Sequence, residues 1–102
     1  MSKVTVFLVP DAHRVEFFRA GEKTQVEAMQ KLWGARAYIA LQSIELSHTG
    51  EDAAEEMFDL SNNPARSGDR HVVACNRSLS VGDVVQVDND RFLCLSTGWH
   101  RF

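Results

Sequence analysis

The densest apolar pattern of the chain lies near its C-terminus. Residues 84–87 and 92–95 are apolar runs of strand length, and residues 88–90 between them, Asp-Asn-Asp, tolerate the left-handed backbone of a tight turn. Gly82 permits a positive φ just before the first run. The pattern predicts a β-hairpin, followed by a turn into a last aromatic segment over residues 99–102.

Three further stretches in the N-terminal half are predicted to be strands. Residues 3–9 are apolar on both alternating faces, which is typical of a central strand. Pro10 ends that strand, and residues 14–19 then alternate charged and apolar side chains, which predicts a second strand paired to the first. Residues 38–46 predict a third strand, with Tyr38, Ala40, Gln42, Ile44 and Leu46 on one face.

A helix is predicted from Thr24 to Trp33. Thr24 and Glu27 have the spacing of a capping box, in which each side chain accepts from the other residue's backbone N–H. Gly34 stands where a left-handed C-terminal cap is expected. The helix has one apolar stripe, which we interpret as core packing, made of Val26, Met29, Leu32 and Trp33.

A second, acidic helix is predicted after Thr49. Thr49 is a suitable N-cap, and acids in the first turn are favoured by the helix dipole. Ala54, Met57 and Phe58 form an apolar stripe. The acidic remainder consists of Glu51, Asp52, Glu55, Glu56 and Asp59. These acids are interpreted as a solvated helix face, with an acidic docking face for a protein partner or a cation site as the alternative.

Length and composition place these elements in a single domain, residues 1–102. With 102 residues, 44% of them hydrophobic, the chain suffices for one core. We predict an α+β fold with a mostly antiparallel sheet and one or two packed helices, and with a partly open barrel as the curled alternative. No apolar run is long enough to span a bilayer and no leader pattern is evident, so a cytoplasmic location is expected. Cys75 and Cys94 are expected to be reduced and partly buried.

The order of these elements resembles the YodL-like domain family. Residues 78–85, Ser-Leu-Ser-Val-Gly-Asp-Val-Val, match the family signature S-L-S-V-S-D-V-V, with Gly82 in place of a serine. Residues 4–8, 15–18, 38–41, 54–60 and 95–99 are similar to further segments of the family in the same order, with 15–18 and 38–41 as strands. The resemblance implies a small bacterial domain of plasmids and other mobile elements whose biochemical role is not established. It carries over no catalytic residue.

Catalytic and metal-binding motifs are not evident in the sequence. His71 and Cys75 lie four residues apart, but no second pair has zinc-ligand spacing, so no metal site is predicted. The chain has neither a G-x-S-x-G turn nor a phosphate-binding glycine loop. An enzyme therefore ranks third among the functions considered, and no cofactor is predicted.

Two binding functions rank above it. The first is a protein-interaction or accessory module, with the acidic face at residues 51–59 as its docking surface. The second is a nucleic-acid-binding surface around the hairpin, in which arginines contact the backbone and Trp99 stacks on a base. Its arginines are Arg66, Arg70, Arg77, Arg91 and Arg101. The competing interpretation pairs them with Asp69, Asp83, Asp88 and Asp90. The net charge of -3 argues mildly against nucleic acid as the partner.

Overall fold

A computed structural model describes residues 2–41, 43–62 and 79–102. Within those ranges the chain forms three helices and six strands. In chain order they are β1 (Ser2–Leu8), α1 (Asp11–Arg19), α2 (Glu22–Gly34), β2 (Ile39–Ala40), β3 (Ile44–Leu46), α3 (Gly50–Asn62), β4 (Val84–Val87), β5 (Asp90–Cys94) and β6 (Trp99–Arg101).

All six strands belong to one antiparallel sheet in which β1 is central. The order across the sheet is β2-β1-β4-β5-β6, and β3 pairs with β1 as well. Three helices packed on one antiparallel sheet confirm the α+β class predicted from the sequence. Among the described strands the sheet does not close into a barrel.

Both faces of β1 are covered, as its two apolar faces predict. Val4, Val6 and Leu8 are buried in the core under α3, while Phe7 packs into a second cluster under α2. The α3 cluster also takes Leu46, Ala53, Ala54, Met57, Leu60, Leu79, Val85, Val87 and Phe92. The α2 cluster centres on Val9, Phe17, Met29, Val84 and Leu93. The protein is therefore a three-layer arrangement with helices on both faces of the sheet.

The strand predicted over residues 14–19 is wrong, because this segment lies in α1. Pro10 is the N-cap, Asp11 lies in the first turn and Arg19 in the last, an arrangement that suits the helix dipole. The alternation that suggested a strand ends at Phe17, since Phe18 is apolar as well. Phe17 is the buried side chain of this helix, so one packing contact fixes it against the sheet.

The helix predicted from Thr24 to Trp33 exists with different ends. It begins at Glu22, and the backbone N–H of Gln25 donates to the carbonyl of Gly21, the N-cap residue, over 2.9 Å. Thr24 therefore lies inside the first turn, and the predicted capping box is wrong. Gly34 is the last helical residue, and the left-handed residue is Arg36, with φ 55.

The strand predicted over residues 38–46 is two short strands, β2 and β3, on the same edge of β1. Leu41 stays attached, because its N–H donates to the carbonyl of Val6 over 2.9 Å. Between the two ladders β1 has two residues and the paired segment has three, so the register shifts by one residue, as at a β-bulge. The hydroxyls of Thr5 and Ser43 are bonded at 2.6 Å beside this shift.

The predicted hairpin is confirmed. Val84 pairs with Leu93 and Val87 with Asp90, and Asp88 in the turn takes a left-handed φ of 53. Gly82 has φ 100, as its position predicts. The aromatic end of the chain forms β6 on the outer edge of β5.

The predicted acidic helix is confirmed as α3. It runs from Gly50 to Asn62 and buries Ala53, Ala54, Met57 and Leu60 against the sheet. The predicted stripe therefore holds, although Phe58 is half-buried at its edge.

Candidate functional site

The structure places Arg91 apart from the other described members of the predicted arginine and tryptophan surface, Trp99 and Arg101, which share one face of β6. Arg101 donates to the Asp90 carboxylate over 2.6 Å, as the competing interpretation predicts. Arg66, Arg70 and Arg77 lie outside the described residues. Successive side chains of a strand point to opposite faces, so Arg91 and Cys94 of β5 lie on opposite faces. Trp99 pairs with Cys94 and shares its face. Arg91 and Trp99 therefore do not contribute to one surface.

Trp99 joins β6 to α3. Its ring meets the Phe58 ring edge to face, with 6.2 Å between centroids. Its indole N–H donates to the Glu55 carboxylate over 2.5 Å. Both contacts are within the chain, so the indole N–H of Trp99 and its contact with Phe58 already stabilise the packing of β6 on α3.

The predicted acidic docking face is only partly available. Glu55 accepts from Trp99, and Glu56 is hydrogen bonded to the ring of His48. Glu51, Asp52 and Asp59 are exposed. In the part of the chain that the structure describes, no three His, Cys, Asp or Glu side chains gather in a group that would hold a metal ion.

The most exposed large apolar side chains lie elsewhere, on α1 and on the edge strand β2. Val15 and Phe18 are each 55% exposed, and Ile39 is 54% exposed. Val15 and Phe18 are three residues apart and therefore neighbours on one face of the helix. The guanidinium carbon of Arg14 lies 5.9 Å from the Phe18 ring centroid, and an Arg14 nitrogen lies 3.8 Å from the Asp11 carboxylate.

A groove lies between this helix and the end of the sheet. Its volume is about 530 Å³, and it is lined by Leu8, Val9, Pro10, Asp11, Arg14, Ile39 and Leu41. Arg14 therefore borders both the groove and the Phe18 ring. We call Arg14, Val15, Phe18 and Ile39 the α1 surface.

The sequence does not predict the α1 surface, because its alternating pattern predicts a strand over residues 14–19. In an alternating strand Val15 and Phe17 share a buried face, whereas in a helix Phe17 points to the sheet and Val15 and Phe18 point away from it. The adjacent pair Phe17-Phe18 is the signal that was available, because a short surface helix does not bury both.

A cluster of aromatic rings covers the α2 face of the sheet beside Arg91. Trp33 is at its centre, with ring centroids of Phe7, Tyr38 and Phe102 at 4.9, 5.6 and 5.5 Å. The guanidinium carbon of Arg91 lies 5.3 Å from the Trp33 centroid and 4.7 Å from that of Phe102. The helical spacing predicts Trp33 as a core residue, whereas its side chain is only half-buried.

Tyr38 and Asp83 connect this cluster to the hairpin. The Tyr38 hydroxyl donates to the carbonyl of Gly82 over 2.7 Å. Burial, with a smaller contribution from the nearby Asp83 carboxylate, raises the pKa of Tyr38 above its ordinary value. The phenol therefore remains a neutral hydrogen-bond donor over the whole physiological range.

The buried Asp83 carboxylate holds the start of the hairpin against the end of β1. It accepts from the backbone N–H of Val9 and from that of Ser80, both over 2.9 Å. The N–H of Cys94 donates to the Asp83 carbonyl over 2.9 Å. Burial raises the pKa of the Cys94 thiol to about 12, and Asp83 and Glu55 add to the effect. A thiol of that pKa is a poor nucleophile at neutral pH.

The segment that carries the family resemblance thus has a structural role over its described residues 79–85. Asp83 supplies a buried acceptor, and Gly82 supplies a left-handed turn. Neither residue presents a reactive group to solvent. Over the described residues 79–85, the segment therefore has a structural role, and no catalytic role follows from it.

Comparison with known proteins identified no relative of this chain. No family model matches the chain, and no curated protein or solved structure matches it. Over the described residues, each helix is too short or too polar to cross a membrane. The resemblance to YodL-like domains stays a prediction from the sequence.

Proposed function

We propose that this protein is a non-enzymatic protein-interaction module that docks a partner protein on the α1 surface. The exposure of Val15 and Phe18 is the observation that carries the proposal, since each is 55% exposed on one helix face. Contiguous exposed apolar side chains with a charged rim are typical of protein-binding surfaces. A cytoplasmic accessory role in a bacterial mobile element, which the YodL-like resemblance implies, is part of the same proposal.

The size of the expected binding contribution follows from the exposed area. A phenylalanine side chain buries on the order of 200 Å² when fully covered, so covering the 55% of Phe18 that is exposed removes about 100 Å² from water. At about 25 cal/mol per Å², this stabilises a complex by about 2.5 kcal/mol, or about 70-fold in affinity.

The α1 surface is a better docking site than the acidic face of α3. Exposed carboxylates are well hydrated, and a surface ion pair contributes about 0–1 kcal/mol. Glu55 and Glu56 are already hydrogen bonded within the chain. The exposed Glu51 and Asp52 would then add charge selectivity rather than most of the affinity.

Site-specific photocrosslinking tests the proposal in the host cell. A photoreactive side chain is placed at Phe18 in one variant and at Asp52, exposed on α3, in another. We expect a discrete protein adduct from position 18 that disappears when Val15→Ser is added. Adducts from position 52 alone would contradict the proposal.

Nucleic-acid binding, which the sequence suggests, is kept as a second proposal on the sheet face of Arg91 and without Trp99, which lies on the opposite face. It is supported by Arg91, which lies against two aromatic rings and forms no ion pair with a described residue. Binding to single- or double-stranded DNA or RNA at low salt, weakened by Arg70→Ala and Arg77→Ala, would support it. No shift with any of these nucleic acids would contradict it.

A further inference from the structure

A small cleft lies beside the Trp33 ring at the C-terminal end of α2. It has a volume of about 290 Å³ and is lined by Phe7, Trp33, Arg36 and Tyr38. Three of these four side chains are aromatic, so the walls offer flat, apolar surfaces. The fourth is an exposed cation.

Two arginines near this cleft, Arg36 and Arg91, have no ion-pair partner among the described residues. Arg91 lies over the same Trp33 ring that lines the cleft, 5.3 Å from its centroid. Two free guanidinium groups beside one aromatic wall, in a protein of net charge -3, favour a ligand that is both planar and anionic.

Arg36 occupies its position at a conformational cost. Its N–H donates to the carbonyl of Trp33, and the N–H of Ala37 donates to that of Leu32, which together form a Schellman motif. The residue at this point is left-handed, with φ 55, a conformation that glycine adopts without the steric cost that other residues carry. An arginine held in a glycine-favouring position, next to a cleft, indicates a binding role.

We propose that this cleft binds a nucleotide unit, with the base against the aromatic wall and the phosphate on Arg36, the cation that lines the cleft. The unit is supplied either by a free nucleotide or by a single-stranded nucleic acid, because both present the same planar base and anionic phosphate. The cleft shares no lining residue with the α1 surface, so this inference does not depend on the docking proposal. It deepens the second proposal, because Arg91 lies over the Trp33 ring that lines the cleft. Binding of mononucleotides without binding of any nucleic acid would support the cleft and contradict the second proposal.

Fluorescence of Trp33 provides the measurement. The chain has two tryptophans, so Trp99→Phe leaves Trp33 as the only one. This protein is titrated at low salt with nucleoside monophosphates in one arm and with a short single-stranded oligonucleotide in the other. We expect saturable quenching in at least one arm. Quenching in both arms would show that a free nucleotide is sufficient for binding. Quenching by the oligonucleotide alone would show that binding requires a single strand.

Arg36→Gly tests the role of the cation without threatening the fold, because glycine suits φ 55 at this position. We expect it to raise the dissociation constant about tenfold or more while the urea midpoint stays equal or rises. The matched control is Arg19→Gln, which removes an exposed arginine in the last turn of α1, away from the cleft lining. The proposal is overturned if neither ligand quenches Trp33, or if Arg19→Gln weakens binding as much as Arg36→Gly does.

Discussion

Gly82 packs against the Phe17 ring of α1, so its replacement by alanine tests how α1 and the start of the hairpin are joined. An ideal Cβ at this position would lie 2.6 Å from Cγ of Phe17 and 2.9 Å from both Cδ atoms of that ring. Phe17 is fully buried and is the packing side chain of α1. The ring therefore has little room to give way.

Two costs add in the Gly82→Ala variant. A non-glycine residue at a φ of 100 costs about 1–2 kcal/mol in backbone strain. Forcing an extra methyl group against a packed ring costs a further ~1–3 kcal/mol. The free energy of unfolding should therefore fall by about 2–5 kcal/mol, a large part of the stability of a small domain.

Gly98 provides the matched control. It also has a positive φ, of 86, but a Cβ built there meets nothing within 4 Å. Urea denaturation followed by circular dichroism should show Gly98→Ala losing only about 1–2 kcal/mol. In a Phe17→Leu background the extra cost of Gly82→Ala should shrink. Equal losses for the two alanine variants in the parent chain would refute the packing argument.

Three further predictions concern the buried polar groups Asp83, Gln25 and Cys94. Asp83→Ala should cost about 2–4 kcal/mol in urea denaturation because two backbone amides lose their acceptor, and Asp83→Asn should cost less since one acceptor oxygen remains. Gln25→Ala should cost about 1–3 kcal/mol, because its buried amide donates to two carbonyls at the end of α1, whereas exposed Gln30→Ala should change stability by less than ~0.5 kcal/mol. Folding raises the pKa of the Cys94 thiol from 9.0 to about 12. Between these pH values the thiol ionises in the unfolded chain but not in the folded one, so the free energy of unfolding should decline as pH rises from 9 towards 12. Cys94→Ala should remove part of that decline, and in a Cys75→Ser background thiol alkylation at neutral pH should require unfolding; a steady rate in native buffer would contradict the buried position.

The parts of the fold that were predictable are those whose signal is local. The hairpin rests on Gly82 and on Asp88, whose positive φ values follow from residue type. β1 was predictable because both of its faces are apolar, as they must be in a central strand.

The parts that were not predictable depend on tertiary packing. Residues 14–17 alternate as a strand would, yet they lie in a helix. Of the two adjacent phenylalanines only Phe17 is buried, and Phe18 remains exposed. The segment 38–46 has strand character throughout, but the register shift beside β1 divides it.

The candidate sites were less predictable than the fold, because they depend on which side chains the fold leaves exposed. Val15 and Phe18 form a surface only because α1 is a helix. Arg91 and Trp99 are close in sequence to the same hairpin, but the pleat of β5 sends them to opposite faces.

The proposed docking role is tested most directly by the affinity of the crosslinked partner, once identified, for three forms of the protein. The parent chain is compared with Phe18→Ser and with Asp52→Asn, both at exposed positions where substitution should leave stability nearly unchanged. Isothermal titration calorimetry should show Phe18→Ser weakening binding by about 70-fold, as the area estimate gives, and Asp52→Asn by less than about threefold. Affinity that is unchanged by Phe18→Ser and lost on Asp52→Asn would contradict the assignment of the α1 surface as the docking site.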